Sequence, residues 1–270
     1  MTGNIHLLQS LKGIWLKLLL LFSGLFIFEM LFPILGASAQ VQQNMLKEMN
    51  DIPPMVEKMF GAGFIDALLK YGIIALGYIH PLALVLFILF IFIAVSQIIT
   101  SEIGSGVIGY TLSKPVSRKR IYFNLAVVIY TGLGGLAVAC YSASALGIRL
   151  FHGAKLSTAP FAALSWNLFL VMILIAGYIV VFAAAAETGK ALFTWGGIAL
   201  LTFYIISLAA PLWKPLEFIT PIDPFSYYKP MAILIGSRNS VVESVLLITA
   251  SVVMFAVGGW LFSRRDILTG

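Results

Sequence analysis

The chain reads as an all-α polytopic membrane protein with six transmembrane helices. Three observations predict this. Of its 270 residues, 60% are hydrophobic and only 10% charged, where soluble domains carry about 25% charged residues. The apolar residues fall in six runs, each long enough at about 1.5 Å per residue to cross a hydrocarbon core about 30 Å thick. Between the second and third runs lies a polar, cationic stretch, TSEIGSGVIGYTLSKPVSRKR, at 100–120. No polar stretch reaches the roughly 50 residues of a separate soluble domain, so one membrane domain over 1–270 is expected.

The elements follow in order. Ile5, Leu8 and Leu11 share a helical face, and a short interfacial helix is expected to lead into the first span. That span covers about 13–35, with Lys12 and Lys17 at its start. The run is too long for the apolar part of a signal peptide, and Glu29 interrupts its far half. A longer connection follows. Within it Ile52, Met55, Val56, Met59, Phe60, Phe64, Ala67, Leu68 and Tyr71 recur at helical spacing. Asp51 is placed to cap this helix, and Pro53 and Pro54 are tolerated in a first turn. The spacing predicts an amphipathic helix over 52–71, too mixed to cross a membrane.

The second span covers about 72–99, and Pro81 is expected to kink it. The third, about 121–146, is rich in small residues such as Gly132, Gly135 and Ala139, which allow close helix approach in lipid. The fourth and fifth cover about 161–186 and 191–210, joined by the tight polar turn Glu187-Thr188-Gly189-Lys190. A proline-rich connection runs from there to about residue 240, and the sixth span covers about 242–262. Six spans place both termini on one side. The nine lysines and arginines of that side cluster at span ends, whereas the eight of the other side are scattered through longer loops among seven acids. The positive-inside rule therefore assigns both termini and 100–120 to the cytoplasm, in a multi-pass protein expected in the plasma membrane.

Several function classes are excluded by what the motifs lack. Gly104-Ser105-Gly106-Val107-Ile108-Gly109 matches a dinucleotide fingerprint, but it follows a membrane span, and no acid lies about 20 residues on. Gly189-Lys190 suggests a phosphate loop, yet Ala191 and Ala184 stand where Ser/Thr and the first Gly belong. The three histidines are far apart, and His80 beside Pro81 reads first as a packing residue of the kink. The single Cys140 lies in an apolar span, so no intrachain disulfide forms. The net charge of +6 suits basic loops at anionic lipid headgroups rather than nucleic acid. Glu29 stands apart. A charge within a span costs about 2.5–3.5 kcal/mol on insertion scales. It must therefore face a partner, a water-filled cavity or the rim, or be protonated, and it is a candidate pathway or gating residue together with His80. If ATP drives this chain, another chain binds the ATP.

Glu102, Gly106, Leu112 and Pro115-Val116-Ser117-Arg118 resemble a signature of type-2 ATP-binding-cassette export permeases. Pro224-Phe225-Ser226-Tyr227-Tyr228 is similar to the family's outer-loop motif before the last span, and Phe262-Ser263-Arg264-Arg265-Asp266-Ile267 to its tail. The resemblance covers essentially the whole chain, with Gly104, Ser105 and Tyr110 departing from the family pattern. It implies a non-catalytic permease subunit of an exporter, paired with a second copy or a homologous permease. Each such subunit docks on a separate ATPase, which holds ATP and Mg; no cofactor is expected in this chain. The segment between spans two and three is then the cytoplasmic coupling helix, with Glu102, Ile103, Gly106, Val107, Leu112, Pro115, Ser117 and Arg118 as its contact residues. The residues alone agree: Ile103, Val107, Ile108 and Leu112 form an apolar set that a groove could seat. The alternative from another class is a stand-alone ion-coupled carrier using Glu29 or His80, which would be expected to show internal repeats and several intramembrane ionisable groups.

Overall fold

A computed structural model describes residues 2–49, 52–61, 63–100, 118–153, 156–186, 188–237 and 240–264, with the side chains of 2–13, 99–100, 118 and 240 outside it. Among the described residues the chain is helical, with no strand. The long apolar helices are α1 (Thr2–Gly36), α6 (Pro81–Val95), α7 (Arg118–Phe151), α8 (Ala159–Ala185), α9 (Gly189–Ala209) and α11 (Ser240–Arg264). Counting the π-helical residues that continue α6 to Ile98, all six are long and apolar enough to cross a membrane. Shorter helices fill the connections: α2 (Ala39–Met49), α3 (Pro54–Phe60), α4 (Phe64–Tyr71), α5 (Ile74–Ile79) and α10 (Pro230–Leu234).

Burial separates the centre from the rim. In the apolar window of α8, 72% of residues are buried, against 17% in α9, so α8 is the hub and α9 leans outward. α8 packs on α11, α7, α6 and α10, while α1 packs chiefly on α7. Small residues set these approaches, as expected where lipid supplies no hydrophobic drive between helices. Gly132 of α7 faces Phe90 of α6 so closely that an added Cβ would lie 2.0 Å from the ring. Gly147 of α7 meets the Pro33 ring of α1 in the same way.

The two ends of the bundle differ. At one end Phe92 of α6 stacks on Phe193 of α9 at 4.7 Å, and Tyr122 of α7 lies against Phe262 of α11 at 6.3 Å. Lys119, Arg120, Lys190 and Arg264 are exposed here. At the opposite, loop-rich end sit α2 to α5, the 3₁₀ turns Lys214–Ile219 and Pro224–Tyr227, and α10.

Three expectations change. The first helix is continuous from Thr2, so no separate interfacial helix precedes the span; its stretch fit for spanning is Ile14–Gly36. The single amphipathic helix expected over 52–71 is two, α3 and α4. The physical reason is the break at Gly61 and Gly63, whose φ values of +92° and +87° other residues rarely adopt. The expected apolar face survives in α4, where Phe64, Ala67, Leu68 and Tyr71 are buried. The preceding polar stretch also folds, as α2. The second span is not kinked at Pro81 but broken there. His80 takes an extended conformation (φ −63°, ψ 129°), which separates α5 from α6, because a residue before proline is pushed out of the helical region. Asp51 lies outside the described residues; α3 starts at Pro54 after Pro53 with no side-chain cap.

Candidate functional site

The site grows out of α1. Glu29 is 1% exposed, deep among helices. Four residues on, Pro33 has no N–H, so the Glu29 carbonyl lacks its helical donor. The Pro33 carbonyl accepts from the Ala37 N–H at 3.2 Å and is also tied across the bundle, because the Nε2–H of His152 donates to it at 2.9 Å. The Glu29 side chain points at α5 and α7. Its Oε2 lies where a Cβ on Gly77 would approach to 2.6 Å, so only glycine leaves room for the carboxyl there. Cys140 of α7 lies within hydrogen-bonding reach of both Glu29 and Tyr78. Oε1 of Glu29 has no hydrogen-bond partner.

The polar chain continues from Cys140 to Tyr78 of α5, which is fully buried. The Tyr78 hydroxyl is 2.8 Å from Ser165 Oγ of α8, and Ser144 Oγ of α7 donates to it at 3.4 Å. Four helices thus meet at one buried polar string running Glu29, Cys140, Tyr78, Ser165. Among the described residues no lysine or arginine pairs with Glu29 there. A carboxylate left unpaired in such a place is costly, and the surroundings suit an uncharged group of this shape.

His80 is exposed and outside this string. Its Nδ1 accepts from the Leu82 N–H at 3.2 Å, capping α6, and its ring lies 5.1 Å from Phe28. The structure therefore gives His80 a helix-start role and does not join it to Glu29 through a hydrogen bond.

The Pro224–Tyr228 stretch forms a corner at the loop-rich end. Asp223 is fully buried and caps the 3₁₀ turn: its Oδ1 accepts from the Phe225 N–H at 2.9 Å and its Oδ2 from the Ser226 hydroxyl at 3.0 Å. Burial raises the Asp223 carboxyl to about 6, against the opposing pull of those donors. Pro224 and Phe225 are buried. The Tyr227 hydroxyl donates to the Pro221 carbonyl at 3.0 Å. The Tyr228 hydroxyl donates to the Tyr78 carbonyl at 2.8 Å, tying this corner to the polar string.

The remaining candidates fall elsewhere. Glu102, Ile103, Gly106, Val107, Leu112, Pro115 and Ser117 lie outside the described residues, as does the Arg118 side chain. What borders them is described. α6 ends in a π-helical turn, Ser96–Thr100, and α7 begins at Arg118. In the tail motif Phe262 is buried, and the Arg264 guanidinium stacks over the Trp260 ring at 4.4 Å; Arg265, Asp266 and Ile267 lie outside.

Sequence reasoning named Glu29 but not the polar groups that it meets, Cys140, Tyr78, Ser144 and Ser165. The available signal was scarcity: a membrane-buried acid must meet some of the few polar side chains of the other spans. It also missed Asp223, although Asp followed by Pro is a recurrent turn-starting pair. Among the described residues no group of three His, Cys, Asp or Glu is placed to hold a metal. No family model matches the chain, and no curated protein matches it.

Proposed function

We propose that this chain is the membrane-spanning permease subunit of an ATP-driven exporter, paired with a second permease copy and driven by a separate ATP-binding subunit. The observation that carries this reading is the connection of the spans. The polar segment 101–117 joins the π-helical end of α6 to the start of α7, which opens on Arg118, Lys119 and Arg120, and both of those helices pack on α1 and α8. A force applied at that segment reaches four of the six spans through rigid helices. π-turns are rare and often sit at functional sites, and the one at 96–100 stands where such a segment would flex. The motifs add support. The Pro224–Tyr228 corner buries Pro224 and Phe225 and is tied to α5, a structural task that suits a motif resembling that of export permeases. The apolar outer faces of α1 and α9, including Leu20, Ile27, Trp195 and Leu201, leave surface for lipid and for the second copy.

The carrier alternative finds support in one feature, the buried string from Glu29 to Ser165. Against it, His80 is held as a helix cap, and the string offers a single carboxyl.

The experiment uses the position of Leu112. A Leu112→Cys chain with Cys140→Ser, labelled in membranes with a photoreactive maleimide, is expected to cross-link to an ATP-binding subunit expressed with it. A label that reaches only lipid or the chain itself would remove the docking role.

A further inference from the structure

Packing does not account for Glu29. Its carboxyl is buried, and among the described residues its Oε1 meets no donor. A buried polar atom without a partner is costly, and a buried bare charge more so. The neighbours do not neutralise it. α7 supplies Cys140 and α5 supplies Tyr78, while Tyr228 of the corner lies within electrostatic reach. Thiols and phenols are neutral acids, not cations. α6 carries no titratable side chain. His152 is bound to the Pro33 carbonyl, one turn along α1, and the exposed His80 ring lies on Phe28. Lys17 of α1 and Lys47 and Glu48 of α2 are exposed. What settles the charge at Glu29 is a proton.

α5 is shaped to respond to that proton. It is a six-residue helix, Ile74–Ile79, set between Gly72 at φ +61° and the extended His80. A unit so short, broken at both ends, tilts without bending a long helix. Its last turn holds Gly77, where Glu29 Oε2 fills the space a Cβ would need. On the facing helix Pro33 leaves the Glu29 carbonyl without its helical donor, so α1 is weakened at the same level. Glu29 stands about 10 Å along the axis from Gly36, where α1 ends at the loop-rich side. In the other direction the buried side chains of α1, among the described residues, are Leu25, Leu21 and Ile14, all apolar. A small shift of α5 therefore opens Glu29 to water from the loop-rich side, and no polar step on α1 leads onward.

We propose that Glu29 is a proton-binding site that controls the packing of α5 on α1. With its proton the neutral carboxyl closes the contact. When the O–H proton passes to water, the carboxylate draws water in and α5 moves off α1; no other bond forms or breaks. One acid open to one side binds a proton without carrying it across. The inference is therefore regulatory, goes beyond the export reading and does not depend on an ATPase.

Cys140 supplies the readout, since it is the single cysteine of the chain and is fully buried beside Glu29. The purified chain in lipid nanodiscs is alkylated with N-ethylmaleimide from about pH 5 to about pH 9, a range that runs from just above the ordinary carboxyl value to just above the thiol value. Thiolate formation alone raises the rate by at most about tenfold per pH unit. An opening that releases one proton multiplies this by up to about tenfold more. The unaltered chain is expected to exceed tenfold per unit over part of the range, and Glu29→Gln to stay within it. A second measurement needs no variant. Dicyclohexylcarbodiimide adds to protonated carboxyls in apolar surroundings, and its adduct at Glu29, counted by peptide mass spectrometry, is expected to fall at least about tenfold across the range, as loss of one proton requires. Equal alkylation slopes in the unaltered chain and Glu29→Gln overturn the proposal. So does a carbodiimide adduct that is absent or constant with pH. Protection of Glu29 by sodium ions at fixed pH assigns the site to a metal cation and overturns it too.

Discussion

The Tyr228 hydroxyl donates to the Tyr78 carbonyl at 2.8 Å, across 150 positions of sequence. That carbonyl is an orphan of the break at Pro81. Its natural donor, the Leu82 N–H, is turned to His80 Nδ1 instead. The Pro224–Tyr228 stretch thus satisfies a backbone group that the broken second span leaves open. Tyr228→Phe is expected to cost about 1 kcal/mol, the net worth of one such bond. In detergent the thermal midpoint should fall by about 2–4 °C, the shift per kcal/mol in a chain of about this size. An unchanged midpoint would mean that the bond does not hold the corner.

Glu29 sits among neutral polar groups and leaves no room for extra bulk at Gly77. Glu29→Gln keeps shape without charge and is expected to accumulate as a monodisperse protein. Glu29→Lys places a longer cation in the same space, at an insertion cost of about 2.5–3.5 kcal/mol, and is expected to aggregate. Fluorescence-detected size exclusion separates the outcomes. If Gln is as damaging as Lys, the carboxylate charge itself is needed.

Asp223 makes the Pro224–Tyr228 corner sensitive to pH. Its carboxyl is raised from 3.8 to about 6 by burial. The folded state therefore holds its proton more tightly than the unfolded chain, and this contribution to stability is fully present below about pH 4. It is lost as pH rises from about 4 through about 6. Hydrogen exchange at the Phe225 amide, which donates to Asp223, should accelerate over that interval beyond the intrinsic base catalysis. Asp223→Asn should flatten this excess. An excess slope that persists in Asp223→Asn would assign the dependence to another group.

Gly132 and Gly135 lie on the same helix and separate packing from composition. Leucine at Gly132 meets the Phe90 ring and is expected to destabilise by about 1–3 kcal/mol. Leucine at Gly135 finds nothing within 4 Å and should be nearly neutral. Chemical denaturation of the two variants makes the comparison. Equal effects would mean that α6 and α7 do not approach through Gly132.

The sequence made the spans legible because hydropathy reports burial in lipid directly: α8 was expected over 161–186 and is Ala159–Ala185. Local breaks were harder. Gly61 and Gly63 end a pattern that apolar periodicity alone continues through. Periodicity also hid α2, whose residues are all at least partly exposed, so no buried face marks it. The site was legible only in part. Glu29 is conspicuous by its charge, but its neighbours Cys140, Tyr78 and Ser165 come from three other helices, and no spacing in the chain announces that they meet. The corner at Pro224–Tyr228 was recognised as a motif, while its bond to Tyr78 depends on a tertiary approach that only the fold supplies.

The central claim is that a separate ATPase drives this chain through 100–120. The most direct measurement is co-purification in mild detergent with the products of neighbouring genes, followed by ATP hydrolysis assays of the eluate. The account predicts that the chain retains an ATP-binding subunit with turnover, and that Leu112→Asp loses it while the six spans stay folded. A chain that never retains such a subunit, yet carries substrate in vesicles on an ion gradient alone, would contradict it.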